Sequence, residues 1–304
     1  MKDATGGATP DWVAFVLLAL GQTFFAGAIV VGRLVHVDMP PAGLMFWRAV
    51  VAFLVLMPFI VGRWRREWPQ VRAHWKIVLG LGLTQAALGQ VPVFLGLHST
   101  TAVNAGLITA TQPALIMLLA VVWFRERIGL RQAVGLVAAF AGTIAIVVRG
   151  DIAALARLEF SIGDLWVQIG IASWAAYAIL VRSMPRTVSP LVIFQSMTLS
   201  SAAVLIPLYA VEVWVFDAHL RFDAATVLTV FYFALLASVL ALWFLAIGIR
   251  TLGPSRSGMF NYLMPVITVA LAAAILGETL ERFHLVGFAL ITGGVVLATR
   301  KPAS

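Results

Sequence analysis

The chain has 304 residues, 62% of them hydrophobic and 11% charged, with a mean hydropathy of +0.99 and a formal net charge of +8. A water-soluble protein carries about 25% charged residues, so the composition excludes a soluble domain and points to an all-α integral membrane protein. Cysteine is absent, which excludes disulfides and thiolate metal sites.

The first residues, MKDATGGATPDW, lack the basic start and small-residue cleavage site of a signal peptide, and the apolar run after them is expected to be a retained helix. A crossing needs about 20 apolar residues. Runs between charge or Pro/Gly clusters predict ten transmembrane helices, at 12–33, 41–62, 75–97, 101–124, 129–149, 162–182, 190–211, 225–248, 255–277 and 282–300. A β-barrel would alternate in segments of about 10 residues, whereas these runs are longer and apolar all round.

With the N-terminus inside, 15 of the 21 Lys and Arg residues fall on one side, among them Arg63, Arg65, Arg66, Arg125, Arg127, Arg131, Arg182, Arg186, Arg250 and Arg256. Glu212, Asp217 and Asp223 cluster in one loop on the other. This bias places both termini in the cytoplasm of a multi-pass protein of the inner (plasma) membrane. It accounts for the basic charge as topology, not as a nucleic-acid footprint.

A shift of 152 residues aligns Gly96 with Gly248, Gly106 with Gly258, Pro113 with Pro265, Glu126 with Glu278, Gly135 with Gly287 and Gly142 with Gly294. Earlier spans align more loosely, GLMFWRAVVAF with PLVIFQSMTLS, which pairs Arg48 with Gln195. The halves, 1–150 and 151–304, each hold five spans. An odd number makes the second half enter from the opposite side, an inverted repeat of the kind found in secondary transporters, whose substrates bind at the midplane between halves.

The doubled pattern of Pro113, Glu126, Gly135 and Gly142 with Pro265, Glu278, Gly287 and Gly294 resembles the EamA family of the drug/metabolite transporter superfamily. The resemblance covers nearly the whole chain. It implies a ten-helix permease, often an exporter of amino acids or other metabolites. The first, third, fourth, sixth, eighth and ninth helices would surround a central cavity, with the fifth and tenth outside it.

Polar groups are expensive in a bilayer and face a cavity or another helix. Here they are mostly uncharged: Gln22 and Thr23, Gln85 and Gln90, Asn104, Thr109, Thr111 and Gln112, Gln168, Ser173 and Tyr177, Tyr232 and Ser238, Asn261 and Tyr262. Each could be interhelical glue; as a set in the six lining helices they read as a cavity. With Phe94, Trp174, Trp243 and Phe260 interleaved, an apolar, aromatic pocket suits an amphipathic organic solute. The candidate substrate residues are therefore Gln22, Arg48, Gln85, Phe94, Thr109, Gln112, Trp174, Tyr177, Trp243, Asn261 and Tyr262. Arg48 has three readings: it holds a substrate carboxylate, satisfies interhelical carbonyls, or snorkels to the outer surface.

Glu126 and Glu278 sit between spans, where a carboxylate accepts from free N–H groups at the start of the following helix. No acid lies mid-span, which favours facilitated diffusion or exchange over proton antiport; Asp164 is the nearest outlier. Gly135 and Gly142, like Gly287 and Gly294, share a helix face and predict close packing, with a dimer surface as one outcome. Pro113 and Pro265 free the carbonyls of Thr109 and Asn261 and are expected to kink their helices near the midplane.

His36, His74, His98, His219 and His284 show no metal-binding spacing, and neither HExxH nor GxSxG occurs. Enzyme and channel readings therefore rank below a cofactor-free carrier, monomeric or homodimeric, for an amino acid or similar amphipathic solute. A hydrophobic-cation or multidrug exporter is the alternative.

Overall fold

The computed structural model describes residues 10–35, 40–97, 99–100, 102–151, 153, 161–217, 223–276 and 281–299. Glu278 lies outside them, as do Lys2, Arg157, Arg221, Arg300 and Lys301 of the charge count.

Ten helices among the described residues are long and apolar enough to cross a membrane. They are α1 (Asp11–Val35), α2 (Pro41–Ala73), α3 (Trp75–Gly96), α4 (Asn104–Phe124), α5 (Leu130–Val147), α6 (Ile162–Ser183), α7 (Pro190–Trp214), α8 (Ala224–Leu252), α9 (Pro254–Ile275) and α10 (Arg282–Thr299). In hydrocarbon every main-chain polar group needs a partner within the protein, which a helix supplies from its own segment. The helix starts carry the expected chemistry. Proline stands in the first turn of α2, α7 and α9, where its missing N–H is no loss. Ser161 and Asp164 form a capping box on α6, and Asp223 accepts the Thr226 N–H of α8 at 2.7 Å.

The largest departure from the sequence boundaries is α2, expected to end at residue 62 and found to run to Ala73. Its 33 residues span about 50 Å at 1.5 Å per residue, well beyond a hydrocarbon core of about 30 Å. The charge cluster marks where the membrane ends. Arg and Glu are good helix formers, so the helix continues past it.

The inverted halves are visible in the packing. α1 packs on α8 and α9, while α6 packs on α3 and α4, and α4 meets α9. These six helices are those that the resemblance implies for the centre. The α2–α7 pair leans on α3 and α8, and the α5–α10 pair leans on α4 and α9. A Cβ on Gly135 would stand 2.5 Å from the Gly294 carbonyl, and one on Gly142 would stand 2.8 Å from that of Gly287. The glycine faces of α5 and α10 therefore pack against one another within one chain, the close packing expected of these spans.

Irregular backbone recurs at matching places. α3 is π-helical over Leu83–Gln90, and α8 over Leu235–Leu240, so the two segments start 152 residues apart. α4 breaks at Thr111, whose N–H bonds back three residues to Ile108; α9 tightens to a 3-10 turn over Phe260–Tyr262. The irregularities of α4 and α9 fall within five residues before Pro113 and Pro265, where the ring removes one hydrogen bond and crowds the carbonyl four residues back.

Candidate functional site

The predicted polar residues divide into two groups near the middle of the helices. The first joins α1, α4 and α9. The Gln22 side-chain amide donates to Asn261 Oδ1 at 2.9 Å, and the buried Tyr262 hydroxyl donates to the Ala110 carbonyl at 3.0 Å. Trp174, on α6, is edge-on to Phe25 of α1 at 6.2 Å and to the buried Tyr177 at 5.6 Å. Gly89 of α3 faces the Trp174 indole, where an added Cβ would stand 3.1 Å from its Nε1.

The second group lies between α2, α3, α7 and α8. Arg48 and Gln85 are 4% and 1% exposed and line a cavity of about 10 Å³ with Met197, Thr198, Ser201 and Ser238. Arg48 Nε and Gln85 Nε2 have no hydrogen-bond partner among the described residues. Gln85 Oε1 accepts from Ser201 at 3.4 Å. Arg48 thus neither reaches the outer surface nor satisfies interhelical carbonyls. Its repeat partner Gln195 is also buried and donates to the Phe53 carbonyl at 3.0 Å.

Other candidates stand apart. Phe94 packs with Phe46, Trp47 and Tyr232 against the first halves of α2 and α8, and Trp243 lies against Phe244 at 5.8 Å. Thr109 turns its hydroxyl back to Ala105 at 2.7 Å, and its side chain is exposed. Thr111 likewise back-bonds to Ile108, and Gln112 is half-buried at the same break. Pro113 is buried and Pro265 half-buried. Asp164 accepts from Thr100 and Asn104 besides its cap, so it ties the start of α4 to α6.

Glu126 differs from its expected role. α5 begins at Gly129 with no side-chain cap. Instead Glu126 accepts from Ser255, in the first turn of α9, at 2.6 Å and pairs with Arg182, at the end of α6, at 3.2 Å. Residue Arg125 adopts a left-handed conformation that ends α4 and turns the chain. Gly253 admits this junction: its φ is +89°, and a Cβ there would stand 2.6 Å from the Arg182 guanidinium. The first half is thereby latched to the second at the arginine-rich face. Around the latch lies a cavity of about 930 Å³ edged by Arg127, Arg131, Arg182, Arg186, Arg250 and Arg256. Arg250 is held by the Val188 and Pro185 carbonyls.

Sequence reasoning missed two further carboxylates. Glu212, at the end of α7, accepts the Ala42 and Gly43 N–H groups at the start of α2, both at 2.7 Å. Glu67, near the end of α2, accepts the Ser189 N–H at the start of α7 at 2.7 Å. The two helices thus cap one another at opposite ends. No group of three His, Asp or Glu that could hold a metal lies together among the described residues.

Ten crossing helices in two inverted halves, meeting at buried polar groups near mid-helix, define a membrane carrier of the inverted-repeat type. The chain belongs to the EamA-like transporter family, whose pattern matches residues 12–148 and again 161–300. It is similar to the uncharacterized transporter YetK of Bacillus subtilis, 26% identical over 95% of this chain and 87% of that one. An uncharacterized transporter of Archaeoglobus fulgidus is 27% identical over 94% and 97%. The WAT1-related protein At1g44800 of Arabidopsis thaliana is 25% identical over 82% and 74%. A solved crystal structure with 21% sequence identity superposes at a TM-score of 0.74 over 95% of each chain, which shows the fold.

Proposed function

We propose that this membrane transporter moves a small organic metabolite, an amino acid or similar amphipathic solute, outward by alternating access. The observation that carries the reading is the buried polar set at mid-helix. Gln22 with Asn261, Tyr262 with Ala110 and the Trp174–Tyr177 pair all lie where the two halves meet. A mostly apolar pocket with a few placed polar groups orients an amphipathic molecule and gives little hold to a bare ion. The basic bias puts the arginine-rich face in the cytoplasm. On that orientation the chain is a multi-pass protein of the inner membrane with both termini inside. The Glu126 latch then closes the cytoplasmic side, and rocking of the halves breaks it.

The test is counterflow of labelled amino acids in proteoliposomes, with Gln22→Ala, Trp174→Ala and Asn261→Ala compared with the parent. Saturable counterflow altered by these substitutions supports the reading. Flux at channel rates, or kinetics untouched by all three changes, removes it. Efflux of hydrophobic cations in place of amino acids would select the multidrug alternative.

A further inference from the structure

A guanidinium is always charged, and burying it without a counter-charge or hydrogen bonds is strongly unfavourable. Arg48 is in that position: it is 4% exposed, and no hydrogen bond or ion pair of its guanidinium is formed among the described residues. Gln85, 1% exposed, lines the same cavity, and its Nε2 is a second donor without a partner among the described residues. Two buried N–H donors, one of them on a cation, thus belong to side chains that line one space. The chemistry that completes them is an anionic oxygen acceptor.

The surroundings are built for such a group. Gln85 lies in the π-helical segment of α3, and Ser238, across the cavity, lies in that of α8. Insertions of this kind occur frequently at functional sites, and here the two at equivalent places in the repeat face one space. Ser201 and Thr198 of α7 also line the space, their hydroxyls donating to Gln85 Oε1 and to the Gln195 carbonyl. The remaining wall is Ala49, Ala52, Met197 and Leu242, so no carboxylate among the described residues lines it. At about 10 Å³ the space now admits one oxygen-sized atom; a larger group requires α2 and α7 to part from α3 and α8. The arginine-edged cavity of about 930 Å³ at one face supplies a positive field that concentrates anions before entry.

We propose that Arg48 and Gln85 form a carboxylate-binding site at the meeting of α2, α3, α7 and α8, and that the transported solute carries a carboxylate which docks there. The solute clause rests on the carrier reading above; the binding site does not.

The probe is propionate, with propionamide as its neutral isostere and chloride as an inorganic anion, at matched ionic strength. The full chain is purified in detergent and its unfolding followed by its ten tryptophans. Propionate is expected to raise the unfolding midpoint saturably, propionamide to leave it unchanged, and chloride to act at least tenfold more weakly. Arg48→Gln should raise the apparent Kd for propionate at least tenfold, and Gln85→Leu several-fold. An equal response to propionate and propionamide overturns the site, as does a shift that survives in Arg48→Gln. Equal saturable stabilisation by chloride overturns the carboxylate assignment. Should Arg48→Gln fail to fold, an unchanged Kd in Gln85→Leu overturns the proposal by itself. Binding of propionate through Arg48 with no counterflow of any solute would keep the site and remove the carrier reading. Counterflow of a solute without any propionate effect would do the reverse.

Discussion

Tyr262 donates its hydroxyl proton to the carbonyl of Ala110, 3.0 Å away and 152 residues earlier in the chain. The same shift relates the two halves, so Tyr262 touches the residue at its own place in the other repeat. Such a contact forms only beside the pseudo-two-fold axis. The glycine contacts obey the same axis, since Gly135 meets Gly294 while Gly142 meets Gly287. In inverted-repeat carriers the substrate site lies at the interface between the repeats, and the Tyr262 bond joins the two repeats of this chain.

Tyr262→Phe keeps the ring and removes the donor. A buried acceptor without a partner costs about 1–3 kcal/mol, while interhelical hydrogen bonds in bilayers average about 0.6 kcal/mol. The expected loss is therefore about 1 kcal/mol, read as a lowered unfolding midpoint in detergent. A midpoint equal to that of the parent would mean that the bond contributes nothing.

The α5–α10 contact gives a sharper contrast between neighbours. A Cβ on Gly294 would lie 2.5 Å from the Gly135 carbonyl and 2.7 Å from the Ala139 nitrogen, whereas one on Gly293 meets nothing within 4 Å. Gly294→Ala must therefore push two backbones apart, and overpacking typically costs about 1–3 kcal/mol. Gly293→Ala should be neutral or stabilising, since alanine favours the helix by about 1 kcal/mol over glycine. Yield and melting of the two variants decide it. Equal behaviour would show that the helices have room to separate.

The sequence made the ten crossings legible because bilayer thickness fixes the length of an apolar run. The doubled Gly and Pro positions marked where backbones approach or bend. Other features depend on partners that no local pattern names. The tail of α2 escaped because Arg63, Arg65, Arg66 and Glu67 end the membrane without ending the helix. The mutual caps of Glu67 and Glu212 require knowing that α2 lies along α7. Glu126 stood near the start of α5 in sequence, yet folding brings it to α9. Depth in a span located Arg48; that its Nε lacks a partner among the described residues emerged only from packing. Thr109 looked like a cavity residue, but its hydroxyl bonds its own helix, as Thr does wherever a carbonyl four residues back is within reach.

Loss of the mutual caps should weaken the α2–α7 pair from both ends. Glu212→Gln removes a charge that holds two N–H groups of one helix start, and Glu67→Gln removes one that holds a third on the other helix. Caps contribute about 1 kcal/mol each, and helix termini favour the anion further. Each variant should lose about 1 kcal/mol, and the double variant about the sum, because the sites lie at opposite ends of the helices. A double variant no less stable than either single one would show that the pair is held from one end alone.

The Glu126 latch predicts a change in access more than in stability. Arg182 and Glu126 are 35% and 23% exposed, so solvent screening keeps the pair to well under about 1 kcal/mol. Because the chain has no cysteine, Ser257→Cys provides a clean reporter just inside the first turn of α9, at a position now 0% exposed. Adding Glu126→Gln should speed maleimide labelling of that cysteine several-fold while the unfolding midpoint moves little. Labelling that stays slow would mean that the face is closed by other contacts.

The paired prolines carry the last prediction. Pro113→Ala restores an N–H to face the Thr109 carbonyl, and Pro265→Ala does the same for Asn261. α4 would then lose the reason for its break at Thr111, and α9 the reason for its turn at Phe260–Tyr262. Each straightened helix gains a hydrogen bond that offsets the interhelical bonds lost, so the unfolding midpoint of the double variant should move little. Straightening also carries Tyr262 and Asn261 away from Ala110 and Gln22, the contacts that now join the halves. Transport should therefore fall several-fold in a protein of little-changed stability, with each single variant intermediate. Counterflow and melting measured on the same preparations separate the two effects. Rates equal to those of the parent would mean that the kinks shape the helices without serving the movement.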